Sequence, residues 1–217
     1  MNKITSKVFF ENLNIKNDEF SIVSKKENFK WGDTSDIKKL NFLMILVKEM
    51  FHNKNILEIG TYRGSTTYNI ASILTDGIIC TVDCGYEKLK IHLENESIEH
   101  NNKINYQEYE VGEIYKKNML DYSRIKQIIG DTTEHETVNQ ISNFSPYDLI
   151  YIDASHTYQG IKNDTEIAFK SLKQGGMIIW DDYNGWWEGV NRYLDELKEK
   201  FELIYILDNR YVIYCDK

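Results

Sequence analysis

The chain has 217 residues, with 26 Lys and Arg against 34 Asp and Glu, giving a formal charge of −8 and a pI near 5.2. That acidic balance argues against nucleic acid as a partner, because such binding draws its affinity from neutralised phosphates. The length suits one substantial domain, and 41% apolar residues with 13% aromatics can fill its core, so intrinsic disorder is not expected. The longest apolar run, Phe42 to Val47, falls far short of the roughly 18 residues of a membrane-spanning helix. With Lys3, Lys7 and Glu11 near the start, neither a membrane span nor an export signal is expected. Cys80, Cys84 and Cys215 match neither a zinc ribbon nor a C-x-x-C pair, so the expected location is a reducing cytoplasm.

In chain order, residues 1–53 read as an N-terminal extension ending in a helix. From Asp36 to His52, the residues Ile37, Leu40, Leu43, Met44 and Val47 follow helical spacing behind the capping candidates Thr34 and Ser35. Residues 54–217 then alternate short apolar runs with amphipathic stretches. Strands are predicted at Asn55–Ile59, Ile78–Val82, Ile125–Ile129, Tyr147–Ile152, Met177–Trp180 and Phe201–Leu207, with helices between most of them, the first at Ser65–Leu74. The last helix carries Val190, Tyr193, Leu194 and Leu197 on one stripe, and Leu207 and Tyr211 flank the turn pair Asp208-Asn209, predicting a terminal antiparallel hairpin. The pattern is that of an α/β fold, a doubly wound and mainly parallel sheet covered on both faces. A segment at about 86–118, rich in Glu, Lys and Asn, reads as an insertion that is either solvated surface or a lid over a ligand.

The first strand of this alternation runs into Gly60-Thr61-Tyr62-Arg63-Gly64-Ser65-Thr66 and then a helix. Glycines at such a turn let the backbone approach a ligand, and the helix start presents unpaired N–H groups to an anion, although packing of strand on helix also calls for glycine. The spacing is neither the G-x-G-x-x-G of dinucleotide binders nor a phosphate loop ending in G-K-S/T, which disfavours NAD and ATP. Asp83 closes the next strand, where a carboxylate can accept both hydroxyls of a ribose. Glu58 precedes the turn and Gly130-Asp131 follows a third strand, so three strand ends offer acceptors to one crevice.

Asp153 ends one buried strand and Asp181-Asp182 end the next. Three such carboxylates repel one another unless a divalent cation, Arg or Lys neutralises them. Oxygen ligands suit Mg²⁺, with Mn²⁺ and Ca²⁺ as alternatives, and capping of the following helices is the competing role. His156 follows Asp153 in the same loop. A histidine there is either an ordinary packed or exposed side chain or, beside a metal-bound hydroxyl, a general base. Asp164 could orient it or face solvent. Tyr183, Trp186 and Trp187 suit a substrate wall and core packing equally, and Phe29 to Trp31 could fold over an acceptor.

These motifs resemble class I S-adenosylmethionine-dependent methyltransferases. The resemblance runs from about Asn55 to Tyr183 and rests on Glu58-Ile-Gly60-Thr-Tyr-Arg-Gly64-Ser65-Thr66, Val82-Asp83, Gly130-Asp131, Tyr147-Asp148-Leu-Ile-Tyr-Ile-Asp153-Ala-Ser-His156-Thr-Tyr158 and Gly175-Gly176-Met-Ile-Ile-Trp-Asp181-Asp182-Tyr183. The boxes around His156 and Asp182 are similar to those of metal-dependent sugar O-methyltransferases. The resemblance implies a seven-stranded Rossmann-like sheet with an antiparallel final hairpin. It implies a cofactor site of Glu58, Gly60, Thr61, Tyr62, Gly64, Ser65, Asp83, Gly130, Asp131, Thr132 and Asp153. In it Gly60, Gly64 and Ser65 hold the methionine end of S-adenosylmethionine, Asp83 the ribose and Asp131 the adenine amino group. It further implies a metal site of Asp153, Asp181 and Asp182, with Asp153 and His156 catalytic and His156 the base.

The expected activity is O-methylation of a small acceptor, a sugar or glycosylated metabolite, with divalent-metal assistance; a homo-oligomer is compatible with the sequence. Metal-independent methylation, a nicotinamide-dependent enzyme and a non-catalytic cofactor-binding protein are the alternatives. The missing G-x-G-x-x-G counts against the second, and the intact Asp153, His156, Asp181 and Asp182 count against the third.

Overall fold

A computed structural model describes residues 1–15, 34–92, 108–119 and 121–216. Strand β1 (Asn2–Ile4) and helix α1 (Ser6–Asn12) precede α2 (Thr34–Leu46), which Val47–Phe51 continue as a π-helical turn. The first half of the sheet follows with β2 (Ile56–Ile59), α3 (Ser65–Ile73) and β3 (Ile79–Asp83). Helical residues 86–92 (α4) and α5 (Glu113–Asn118) belong to the charge-rich segment, and β4 (Ile125–Ile129) succeeds them. The chain then runs through α6 (His135–Ser142), β5 (Tyr147–Ile152), α7 (Tyr158–Ser171), β6 (Leu172–Trp180), α8 (Glu188–Leu197), β7 (Leu203–Ile206) and β8 (Tyr211–Cys215).

All strands join one sheet in the order β1-β7-β8-β6-β5-β2-β3-β4. Strand β8 runs antiparallel to β6 and β7, and the other pairings are parallel. The expected sheet is therefore present, with eight strands rather than seven among the described residues. The additional one, β1, comes from the N-terminal extension and lies along the edge of β7, with Asn2 opposite Ile204 and Ile4 opposite Ile206. Just beyond it, the Ser6 N–H and hydroxyl both donate to Asp208 Oδ1 at 2.8 Å. Asn2-Lys3-Ile4 has no apolar run to announce a strand; the β7 edge supplies its hydrogen bonds.

The central strands are buried on both faces. Ile56, Ile79, Leu149, Tyr151, Met177 and Ile179 point to one side, where Phe9, Phe10, Leu43 and Leu46 of α1 and α2 cover them. Leu57, Ile59, Val82, Ile150, Ile152 and Trp180 point to the other, against Ile141, Ile161, Val190 and Leu194 of α6 to α8. At roughly 25 cal/mol per Å² of apolar surface removed from water, these two layers are the dominant stabilising term. The chain reverses its progress across the sheet at β2, which has β3 on one side and β5 on the other. A crevice outside the carboxyl ends of β2 and β5 is thus the place where a sheet of this kind binds ligands. Among the described residues no helix is long and apolar enough to cross a membrane.

Candidate functional site

The glycine turn lies at that crevice. Gly60 has φ 105°, and a Cβ on it would collide with the carbonyl oxygen of Asp153, so only glycine lets β2 end in contact with the β5 backbone. Gly64, at φ 81°, caps α3, and its Cα faces Tyr115 and Gly112 without room for a side chain. Two polar atoms at this helix start, Ser65 Oγ and Arg63 Nε, are buried with no hydrogen-bond partner. Donors left unsatisfied beside the N-terminus of α3 fit the carboxylate of an amino-acid moiety.

Glu58 and Thr61 lie beneath the turn. Glu58 is fully buried and accepts from the hydroxyls of Thr67 and Thr81, the latter at 2.5 Å, while Thr61 pairs with Thr81. Burial pushes the Glu58 carboxyl up to about 8 against the pull of those hydroxyls. Asp83, 9% exposed, accepts from Tyr62 N–H and Gly85 N–H at 2.7 Å each and from the Tyr109 hydroxyl at 3.2 Å. Asp131 accepts from Thr133 N–H and hydroxyl and pairs with His92 Nε2 at 2.8 Å. Burial opposes its charge, but these donors outweigh it and hold the carboxyl below its ordinary value. Gly130 is required by packing, because a Cβ would strike Thr137.

Thr132 donates its hydroxyl to Asp164 Oδ1 at 2.6 Å. Asp164 is 2% exposed, and burial raises its carboxyl to about 6. It therefore braces the loop after β4. The expectation that it orients His156 or faces solvent is corrected, since the inward face of α7 directs it elsewhere.

The carboxylates at the ends of β5 and β6 divide into two kinds. Asp153 is open to the crevice, and Asp182 stands at φ 64° with its two oxygens facing different ways. Its Oδ1 accepts from Lys39 Nζ at 3.0 Å and Arg210 Nη2 at 3.1 Å, whereas its Oδ2 lies 3.4 Å from His156 Nε2. Asp153, His156 and Asp182 each offer a ligand atom within 4.8 Å of the others. Asp181 is placed apart from this group. It is buried, in contact with the Lys39 ammonium, and accepts from the Tyr151 hydroxyl at 2.8 Å. The same hydroxyl lies 3.2 Å from Asp153.

Although Asp153 opens to the crevice, the protein around its carboxyl keeps enough water away to raise it, and Asp182 adds to the effect. Burial likewise raises Asp181, with Asp153 and Asp182 contributing. At Lys39 burial works against the charge, yet Asp181, Asp182 and Asp153 together outweigh it and hold the amine protonated. We take the buried contact as an ammonium on a carboxylate, because that nitrogen touches oxygens of two acids at once. The sequence pointed to the acids and the histidine but to neither Lys39, 7% exposed on α2, nor Arg210 in the β7–β8 turn. Both lie far from β6 along the chain, and no local pattern marks them.

Trp187 stacks on His156 with ring centroids 4.0 Å apart and planes at 11°. Tyr183 donates to Asp195 and meets Tyr205 edge-on, so it packs. Trp186 is 87% exposed. Phe29 to Trp31 and residues 93–107, with the expectations attached to them, lie outside the described residues.

A family model described as a methyltransferase domain matches residues 57–183. An uncharacterized protein of Acanthamoeba polyphaga mimivirus is 32% identical over 69 residues, which span 26% of this chain and only 31% of that protein. Among solved structures, an O-methyltransferase from Bacillus cereus in complex with SAH superposes with a TM-score of 0.52 at 20% identity, covering 98% of this chain and 89% of that one. The O-methyltransferase NovP gives 0.60 at 17%, covering 83% and 80%. The MycE methyltransferase of the mycinamycin pathway, in complex with Mg and SAH, gives 0.51 at 16%, covering 79% and 47%.

Proposed function

We propose, since this chain belongs to the methyltransferase-domain family, that it is an S-adenosylmethionine-dependent enzyme that methylates a hydroxyl of a small acceptor, a sugar or glycosylated metabolite, with a divalent ion assisting. One observation carries the reading. Asp153, His156 and Asp182 converge within 4.8 Å at the carboxyl ends of β5 and β6, and the Gly60 turn abuts Asp153. An acidic chain and a crevice of this kind favour a metabolite over nucleic acid as the acceptor.

S-adenosylmethionine supplies, when bound, a methyl on a positively charged sulfur. Ser65 and Arg63 donate to its carboxylate, Asp83 accepts from its ribose and Asp131 from its adenine amino group. A divalent ion supplies Lewis acidity and orientation of the acceptor oxygen. Of the three expected ligands, Asp153 and Asp182 fit it, since their oxygens are hard donors and Mg²⁺ commonly uses one or two carboxylates with waters. Asp181 is committed to Lys39 and Tyr151. His156 takes the acceptor proton on Nε2, and Asp182 Oδ2 beside it stabilises the imidazolium.

Purified protein should release S-adenosylhomocysteine from a panel of glycosylated acceptors, lose that turnover to EDTA, and regain it with Mg²⁺ or Mn²⁺. Cofactor affinity, measured by calorimetry, should survive chelation. Full turnover after exhaustive EDTA treatment selects a metal-independent reaction, in which Lys39 and Arg210 alone offset the carboxylates.

Asp83→Ala is expected to weaken S-adenosylhomocysteine binding by one to two orders of magnitude. A hydrogen bond to a charged acceptor contributes about 1.5–3 kcal/mol, at roughly 1.4 kcal/mol per decade. Calorimetry showing wild-type affinity in a folded variant removes Asp83 from the ribose contact.

A further inference from the structure

Tyr109 sits where the returning end of the inserted segment crosses the glycine turn. Main-chain hydrogen bonds fix the crossing: Gly112 N–H donates to Tyr62 C=O and Ile114 N–H to Arg63 C=O, both at 2.9 Å. An ion pair of Arg63 with Glu113 at 3.3 Å reinforces it. The Tyr109 ring packs on Tyr62 at 4.4 Å and meets Tyr86 edge-on at 5.7 Å. Ring and turn are therefore held together independently of the phenol group.

That phenol donates to Asp83 Oδ1. An ionised carboxylate has about four acceptor positions. Two of them on Asp83 are used by Tyr62 N–H and Gly85 N–H, which shape the strand ends, and Tyr109 fills a third. The third donor is a hydroxyl on an acceptor whose expected ligand is also a hydroxyl.

We propose that the Tyr109 hydroxyl occupies the ribose-hydroxyl position on Asp83 and is exchanged for the ribose when the cofactor binds, so that Tyr109 sets cofactor affinity. This rests on the cofactor reading above. One O–H donor replaces another, and the binding energy of the ribose contact is reduced by the phenol contact that it breaks. A ligand lacking ribose hydroxyls leaves the phenol in place and experiences no such reduction.

The test is calorimetric, with S-adenosylhomocysteine and its 2′,3′-dideoxy analogue as probes of wild type and Tyr109→Phe. The variant keeps the ring stack on Tyr62. S-adenosylhomocysteine should bind it roughly ten-fold more tightly, the lower end of the scale for one hydrogen bond to a charged acceptor, while the analogue binds both proteins alike. Equal or weaker binding of S-adenosylhomocysteine to the variant overturns the proposal, as does equal tightening of both probes, which signals a loosened pocket. Failure of S-adenosylhomocysteine to bind either protein overturns the cofactor reading itself and this proposal with it.

Discussion

His156→Ala is expected to turn over roughly 10² to 10⁴ times more slowly than wild type while binding S-adenosylhomocysteine with unchanged affinity, because positioned proton transfer contributes on that scale. The imidazole is held from two directions, by Trp187 against its face and Asp182 Oδ2 at 3.4 Å from Nε2. Two other histidines are placed otherwise. His52 Nδ1 lies on the Lys48 carbonyl, and His92 is paired with Asp131. Single-turnover measurements isolate the chemical step from product release. A variant within a few-fold of wild type under those conditions assigns the proton to water or another side chain.

Lys39→Met should cost about 3–5 kcal/mol of folding stability, the usual penalty for removing one partner of a buried ion pair. Domains are stable by only about 5–15 kcal/mol, so the urea midpoint should fall sharply. The reason is the acid left behind: Asp181 is buried with Asp153 and Asp182 beside it, and its ammonium partner is gone. Protonation relieves the penalty. In the variant, with no ammonium to hold the charge, burial raises the folded-state proton affinity of Asp181 above that of the unfolded chain, so stability from its neutral form is fully present at low pH and is lost as pH rises through the folded value. The deficit of Lys39→Met should accordingly be smaller at pH 5 than at pH 8, and Lys39→Met with Asp181→Asn should recover most of it. A double variant no more stable than the single one locates the loss in packing of the lysine stem instead.

The strands were legible because each is a short run dominated by apolar residues, even where Lys126-Gln127 or Asp148 interrupts it. Ile125–Ile129 and Tyr147–Ile152 form strands over the predicted residues, while β6 begins at Leu172, ahead of the predicted Met177, in the mostly exposed Lys173-Gln174-Gly175 stretch. The glycine turn was legible because two glycines mark the strand-to-helix junction, and both also serve packing, Gly60 against Asp153 and Gly64 against Tyr115 and Gly112. The charge balance of the crevice was not. A carboxylate written next to another announces repulsion, but its partners arrive through space, here from α2 and the final hairpin. Asp164 shows the same limit: its spacing from His156 left open a pair or a solvent-facing side chain, and the rotation of α7 turns it toward Thr132. Tyr109 lay within a segment whose composition read as solvated surface or a lid, and its neighbours Tyr62 and Tyr86 become relevant only once the chain folds back.

The backbone contact at Gly60 has a mechanical corollary. The strand that leads to the proposed methyl donor and the strand that ends in Asp153 touch main chain to main chain, with no side chain between them. Their spacing is thus set like the gap in a jig, by peptide geometry and not by whichever residues line the cavity. Under the proposed function, side chains that line the crevice can vary without altering the reach from sulfur to oxygen. Variation in acceptor and constancy of reaction can therefore reside in different parts of the same fold.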